Sequence, residues 1–125
     1  MTKRKHWVLR KETLPQHTDH AGVLWHGYYF NWLEEARLAA LSKAGIRYID
    51  LIKHGYEMPV ISIDIKYKLP IFHGEVIFIE SQFLINKSPR ITIRSNFIGK
   101  NKTIMTSSSI DVVLINKADF SIVRK

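Results

Sequence analysis

The residues best equipped for chemistry lie in one run, His17-Thr18-Asp19-His20-Ala21-Gly22-Val23-Leu24-Trp25-His26-Gly27-Tyr28-Tyr29-Phe30. Three of the six histidines fall between His17 and His26, and five of the 14 aromatic residues fall between Trp25 and Trp32, a density that a plain surface turn has little use for. A carboxylate such as Asp19 can attack a carbonyl carbon or take a proton from water. Just downstream the composition turns helical. The first turn of a helix offers unpaired backbone N–H groups and a partial positive charge, which together stabilise a developing oxyanion. Asp19 is therefore the candidate nucleophile or general base, with Trp25 and His26 at the helix start. The same residues also have structural uses: Asp19 suits a turn whose carboxylate bonds its own backbone, and the histidines and aromatics suit partial burial.

The elements that must position this run follow from patterning. From Tyr28 to Ala44 the chain is rich in Glu, Ala, Leu and Arg, lacks Pro and Gly, and ends at Gly45, where a left-handed cap is expected. Tyr29, Leu33, Ala36, Ala40 and Ala44 share one helical face, while Phe30, Trp32, Leu38 and Leu41 cover much of the rest, so little of the helix is expected to face water. Ala36, Ala39 and Ala40 would let strands approach, and Glu34 and Arg37 are spaced to pair. Ile46 to Lys53 reads as further helical turns closed by Gly55. Strands are expected at Trp7 to Thr13, Ile61 to Leu69, Val76 to Ile85, Arg90 to Ile98 and Lys102 to Leu114. The last three are joined by a connection at Asn86 to Pro89 and a tight turn at Gly99-Lys100-Asn101. Short turns require antiparallel pairing. The fold class is α+β, with a strongly curved five-stranded antiparallel sheet wrapped around one long central helix, because a flat sheet would cover only one side of so apolar a helix.

At 125 residues, one domain spanning 1–125 is expected. The chain has no cysteine, which removes disulfides and thiolate chemistry. Lys3, Arg4 and Lys5 are followed by too short an apolar stretch for a signal peptide or a membrane span, so the expected location is cytoplasmic, with no membrane partner. The net charge of +8 is spread along the chain, and Lys87, Arg90, Arg94, Lys100 and Lys102 occupy a stretch without acids. Such a spread suits an anionic ligand handle and also loose attraction to nucleic acid. Nucleic acid is not an expected partner, since zinc-finger spacing, an RNP-like aromatic sequence and a continuous basic helix are all missing. The histidines His17, His20, His26 and His73 show no metal-ligand spacing, so neither metal nor cofactor is expected.

The run Thr18-Asp19-His20-Ala21-Gly22-Val23-Leu24-Trp25-His26, with Tyr29 and Glu34-Glu35-Ala36-Arg37 behind it, resembles the signature of the 4-hydroxybenzoyl-CoA thioesterase family and its acyl-CoA thioesterase relatives. Ile63-Asp64-Ile65-Lys66-Tyr67-Lys68-Leu69-Pro70 followed by Gly74-Glu75 is similar to that family's second strand and turn. The resemblance implies the hotdog fold and hydrolysis of an acyl-CoA thioester, with coenzyme A as part of the substrate. It gives Asp19 the role of catalytic carboxylate, assigns carbonyl polarisation to the Trp25 backbone N–H, and matches His26 to the histidine of the acyl-CoA branch. Many members of that branch have asparagine where Tyr28 stands here, so the acyl group stays open between aromatic (hydroxybenzoyl or dihydroxynaphthoyl) and short or medium chains.

Expected substrate contacts are Gly22, Tyr28, Tyr29, Glu34 and Ile63 for the acyl thioester, and Lys66, Arg90 and Lys102 for the CoA phosphates. The working unit implied is a homodimer or homotetramer with active sites at the subunit interface. The mixed polar and apolar face of Val76, Phe78, Glu80 and Gln82 fits such association. Two other functions compete: a dehydratase or hydratase acting on enoyl and 3-hydroxyacyl thioesters, and a non-catalytic acyl-CoA or nucleic-acid binding module.

Overall fold

The computed structural model describes residues 6–85 and 88–123. Asn86 and Lys87, and with them half of the expected Asn86 to Pro89 connection, lie outside the described residues, as do Lys3, Arg4 and Lys5. In chain order the elements are β1 (Trp7–Glu12), α1 (His26–Lys43), α2 (Tyr48–Lys53), β2 (Tyr56–Glu57), β3 (Val60–Tyr67), β4 (Val76–Ile85), β5 (Ile91–Ile98), β6 (Ile104–Val112) and β7 (Ile115–Asn116).

Five strands form one antiparallel sheet in the order β1-β4-β5-β6-β3, with α1 against one face, as expected. Inward-facing Ile77, Ile79, Ile93, Phe97, Ile110 and Val112 meet Leu33, Trp32 and Tyr29 of the helix. Trp32 stacks on Phe97 at 6.3 Å between ring centroids. Full burial of each large side chain stabilises by about 1.5–3 kcal/mol. Near the middle of the same face, Ser81, Ser95 and Ser108 lie in register, where Ser81 Oγ and Ser95 Oγ are 2.7 Å apart and Ser108 Oγ donates to the Ser95 carbonyl at 2.9 Å. Their polar atoms are thus paired inside the sheet.

The helix differs from expectation in two ways. It begins at His26 rather than Tyr28, which places Gly27 in its first turn. It is also buried on one stripe only: Tyr29, Trp32, Leu33, Ala36, Arg37, Ala40 and Leu41 are covered, whereas Phe30 is 42% exposed. The opposite side stays open because only the sheet's concave face lies against α1. Ala36, Ala39 and Ala40 do receive a strand, β1, whose Trp7, Val8 and Leu9 come up against them.

Strand ends move as well. The Gly99 turn continues through Lys102, with Asn101 and Lys102 both at φ 57°, so β6 starts at Ile104 and Lys102 belongs to the turn. The two-residue strands β2 and β7 pair with each other, Tyr56 with Asn116 and Glu57 with Ile115, and were not expected. The alternation of β3 is present, but most of its apolar face is not core: Ile65 packs against the core, whereas Ile61, Ile63, Tyr67 and, just past the strand, Leu69 are 43–52% exposed. The reason is topological, since β3 is the edge of the sheet and pairs only with β6.

Candidate active site

The segment from His17 to Trp25 folds into a small hairpin. Trp25 N–H donates to the His17 carbonyl at 2.9 Å, Thr18 bridges Leu24, and Asp19 N–H donates to the Val23 carbonyl at 2.9 Å. Gly22 closes the tip at φ +77°, a backbone angle that L side chains rarely adopt. The return arm is stitched to the chain before β4, with Leu24 N–H on the Ile71 carbonyl (2.7 Å) and His73 N–H on the Gly22 carbonyl (3.1 Å).

Asp19 sits at this tip, exposed, and both uses foreseen for it coexist. Its Oδ1 accepts from Ala21 N–H (2.9 Å) and Val23 N–H (3.3 Å), which is the turn role. Those bonds fix the carboxylate while Oδ2 has no partner among the described residues, which leaves it free for chemistry.

The base of the hairpin is the N-terminus of the 18-residue α1. Here the expectation for Trp25 is corrected: its N–H is already bonded to the His17 carbonyl and cannot receive an oxyanion. The open donors are one and two residues on, since the N–H groups of His26 and Gly27 have no partner among the described residues. Along the hairpin ladder the tip and the helix start are two residue pairs apart, about 7 Å. The Trp25 indole instead folds over Gly27, where an added Cβ would overlap the ring. Gly27 is needed for that ring, and Gly22 for its backbone angle, because a Cβ on Gly22 would point into open space.

From the helix start a stripe runs along α1 through His26, Phe30, Glu34 and Arg37, about 16 Å in all. Phe30, Glu34 and Arg37 line a cavity of about 400 Å³ that is closed on the other side by Tyr48, Glu57, Met58, Val60 and Ile63. Glu34 and Ile63 were foreseen as contacts. Arg37, Tyr48 and Glu57 were not. Arg37 is only 9% exposed, and it does not form the expected ion pair with Glu34; among the described residues the acid of α1 that is paired is Glu35, with Lys11 at 3.1 Å. Tyr48 donates to Glu57, and that bond holds its phenol above the usual tyrosine range. A lone arginine at helical spacing from Glu34 was the available signal for this cavity, whereas Glu57 in a two-residue strand carried none.

A model of the thioesterase superfamily matches residues 21–84. The chain belongs to the thioesterase superfamily. The match covers the hairpin's return arm, α1, β3 and most of β4, and leaves Asp19 two residues outside it. A protein of Synechocystis sp. that bears the provisional name of an esterase is 43% identical over 68 residues, 54% of this chain and 41% of that protein. A Bacillus subtilis protein provisionally named an acyl-CoA thioesterase is 40% identical over 58 residues, 46% of this chain and 42% of that protein. The chain thus spans about two fifths of the length of these two relatives. The solved DHNA-CoA thioesterase of Staphylococcus aureus superposes with a TM-score of 0.86 at 28% identity, covering 95% of this chain and 80% of that one. The fold is the hotdog fold, and the superfamily is one of hydrolases acting on thioesters.

For this thioesterase-superfamily chain the remaining expected contacts divide. Tyr29 is core, 4% exposed, edge-on to Tyr67 and tilted against Phe97, and burial pushes its phenol above the ordinary value, so it is not a substrate contact. Tyr28 is half-buried between the His17 and Trp25 rings. Lys66 lies on the sheet face away from α1, in a polar hollow of about 360 Å³ with Asp64, Glu80 and Arg94. Arg90 precedes β5 and pairs with Asp111 at 3.4 Å, whereas Lys102 follows β5, so the two stand about 26 Å or more apart at opposite ends of one strand. Within one chain these bases do not converge. Among the described residues no helix is long and apolar enough to cross a membrane.

Proposed function

We propose that the chain is an acyl-CoA thioesterase, hydrolysing its substrate to the free acid and CoA. The observation that carries this reading is Asp19, clamped through Oδ1 at a hairpin tip whose base is the open N-terminus of an 18-residue helix. The thioester carbonyl oxygen would lie against the His26 and Gly27 N–H groups, where the helix dipole favours negative charge. The free Oδ2 of Asp19 either attacks the carbonyl carbon, giving a mixed anhydride that water then opens, or takes a proton from the attacking water. In both routes the thiolate leaves without needing a strong general acid. His26, at the first helical position, orients the thioester. The acyl group enters a cavity lined by Phe30, Glu34 and Arg37, supplied by the mate in the paired unit described next.

The same reading makes the working unit a pair of chains. Edge strand β3 exposes Val60, Ile61, Ile63 and Tyr67 together with an unpaired row of backbone groups, and antiparallel addition of a second β3 covers both. Tyr29 packs on Tyr67, so the helix start lies at the Tyr67 end of β3, whereas the cavity lies at the Val60 end. A two-fold axis through β3 therefore sets the Asp19 hairpin of one copy near the cavity of the other. It also brings Arg90 of one copy to the same end of the joined sheet as Lys102 of its mate, which fits a CoA chain crossing the boundary.

Hydrolysis of a panel of acyl-CoAs (short, medium, branched and aromatic), followed by thiol release, tests the reading. Turnover of at least one class is expected. No turnover by correctly folded protein would overturn it, and tight acyl-CoA binding without turnover would make the chain a binding module.

A further inference from the structure

His17 stands where the hairpin, α1 and β1 meet. It ends the single 3₁₀ turn Pro15–His17, and its Nδ1 accepts from the Leu14 N–H at 3.0 Å while its own N–H donates back to the Leu14 carbonyl at 2.9 Å. The Nδ1 bond is one half of a capping box, the half in which Glu or Gln ordinarily supplies the acceptor, while the bond to the Leu14 carbonyl is the backbone bond of the 3₁₀ turn. Its carbonyl receives the Trp25 N–H, so the same residue ties the first strand of the hairpin to the helix start. The ring stands edge-on to Tyr28 at 4.8 Å and to Trp32 at 5.3 Å. An acceptor at Nδ1 requires the neutral ring with its proton on Nε2.

We propose that His17 is a positioning residue for Asp19, and that protonation of its ring unlocks the hairpin and so makes hydrolysis fail in mild acid. A doubly protonated ring presents N–H at Nδ1 to the Leu14 N–H, so an attraction becomes a repulsion and both ends of the clamp loosen. The charged surroundings do not offset this. From β1, Lys11 adds like charge; from α1, Glu35 is engaged with Lys11 and Tyr28 meets the ring edge-on; in the hairpin, Asp19 is held by Ala21 and Val23. Among the described residues no carboxylate lies within ion-pair distance of the His17 ring. Burial, and secondly Lys11, hold the His17 pKa below its ordinary 6.5. The stabilisation carried by the neutral ring is therefore complete above about 6.5 and is lost as pH falls toward the lower folded value.

The activity effect rests on the thioesterase reading, so the test has two arms. The first measures kcat and KM between pH 4.5 and 8 for the wild type, His17→Gln and His17→Phe. Gln keeps an acceptor that does not titrate, and Phe keeps an edge but no acceptor. Once pH is below the folded pKa, wild-type kcat should fall about tenfold per pH unit with KM little changed, following the neutral fraction. His17→Gln should lack that limb down to the carboxylate range, and His17→Phe should be slow at every pH. The second arm needs no substrate and no variant: in the wild type, the NMR resonance of the Leu14 amide should titrate with the His17 ring, and protection of the Ala21 and Val23 amides should drop over the same range. An acid limb in His17→Gln identical to that of the wild type, or a Leu14 amide indifferent to His17 protonation, would overturn the proposal. A titrating hairpin in a protein that turns over no acyl-CoA would overturn the thioesterase reading and leave the hairpin switch standing.

Discussion

Ile61 gives the sharpest test of the paired unit, because it is an exposed apolar residue at the bulge of edge strand β3 and does not line the acyl cavity. The side chain is 45% exposed in the single chain. Full burial of an isoleucine stabilises by about 1.5–3 kcal/mol, so covering that remainder contributes roughly 0.7–1.3 kcal/mol. A two-fold interface uses the residue twice, so Ile61→Ala should weaken association by roughly 1.3–2.7 kcal/mol, about tenfold to a hundredfold in Kd. Ile61→Asp adds the cost of placing a carboxylate against apolar surface and should leave monomer at micromolar concentration. Analytical ultracentrifugation across the assay range reads both, with turnover followed in parallel. Activity should disappear with the dimer, because each hairpin then loses the cavity contributed by its mate. A wild type that sediments as a fully active monomer, or an Ile61→Asp variant that stays paired, would refute pairing through β3.

Three further outcomes are expected. Gly22→Ala forces a Cβ onto a φ of +77° and should cost about 1–2 kcal/mol by chemical denaturation, with kcat reduced more than KM changes, since open space around the new Cβ leaves the backbone angle as the only obstacle. Thr13→Val should leave stability unchanged or raise it by up to about 1 kcal/mol in thermal unfolding, because the Thr13 hydroxyl is buried without a hydrogen-bond partner among the described residues. KM for acyl-CoA should rise with salt in the wild type and less steeply in the double variant Arg90→Ala, Lys102→Ala, as measured by steady-state kinetics from 20 to 300 mM salt, which are about the limits over which the screening length shortens severalfold.

Much of the frame was legible because it rests on periodicity. Strict alternation in β3 and the breaks at Pro15, Gly45, Gly55 and Gly74 fix where strands and helices begin and end to within a few residues. What periodicity does not carry is what lies on the far side of each face. Ile61 and Ile63 alternate like core residues, yet they are exposed, since the partner of an edge strand is absent from the local pattern. The helix looked apolar all round because Phe30 counts equally with Trp32 in composition, although Phe30 faces away from the buried stripe. In the site, Asp19 could be singled out from its company of histidines and glycine. The candidate oxyanion donor was placed one residue early, at Trp25, because that N–H is claimed by a hairpin bond to His17, and bonds across a turn leave no mark in spacing. Arg90 and Lys102 are near in sequence and far apart in space for the same kind of reason: a whole strand separates them.

Asp19→Asn tests the central assignment most directly. The asparagine Oδ1 can still accept from the Ala21 and Val23 N–H groups, so the hairpin and the thermal midpoint should be preserved while the negative charge is removed from the free oxygen. With an acyl-CoA that the wild type hydrolyses, kcat/KM should fall by about two to four orders of magnitude, whereas His26→Ala should cost only about tenfold to a hundredfold. An Asp19→Asn protein with turnover within about threefold of the wild type would contradict the assignment and move the search for the carboxylate to Glu34, an acid that lines the α1 cavity.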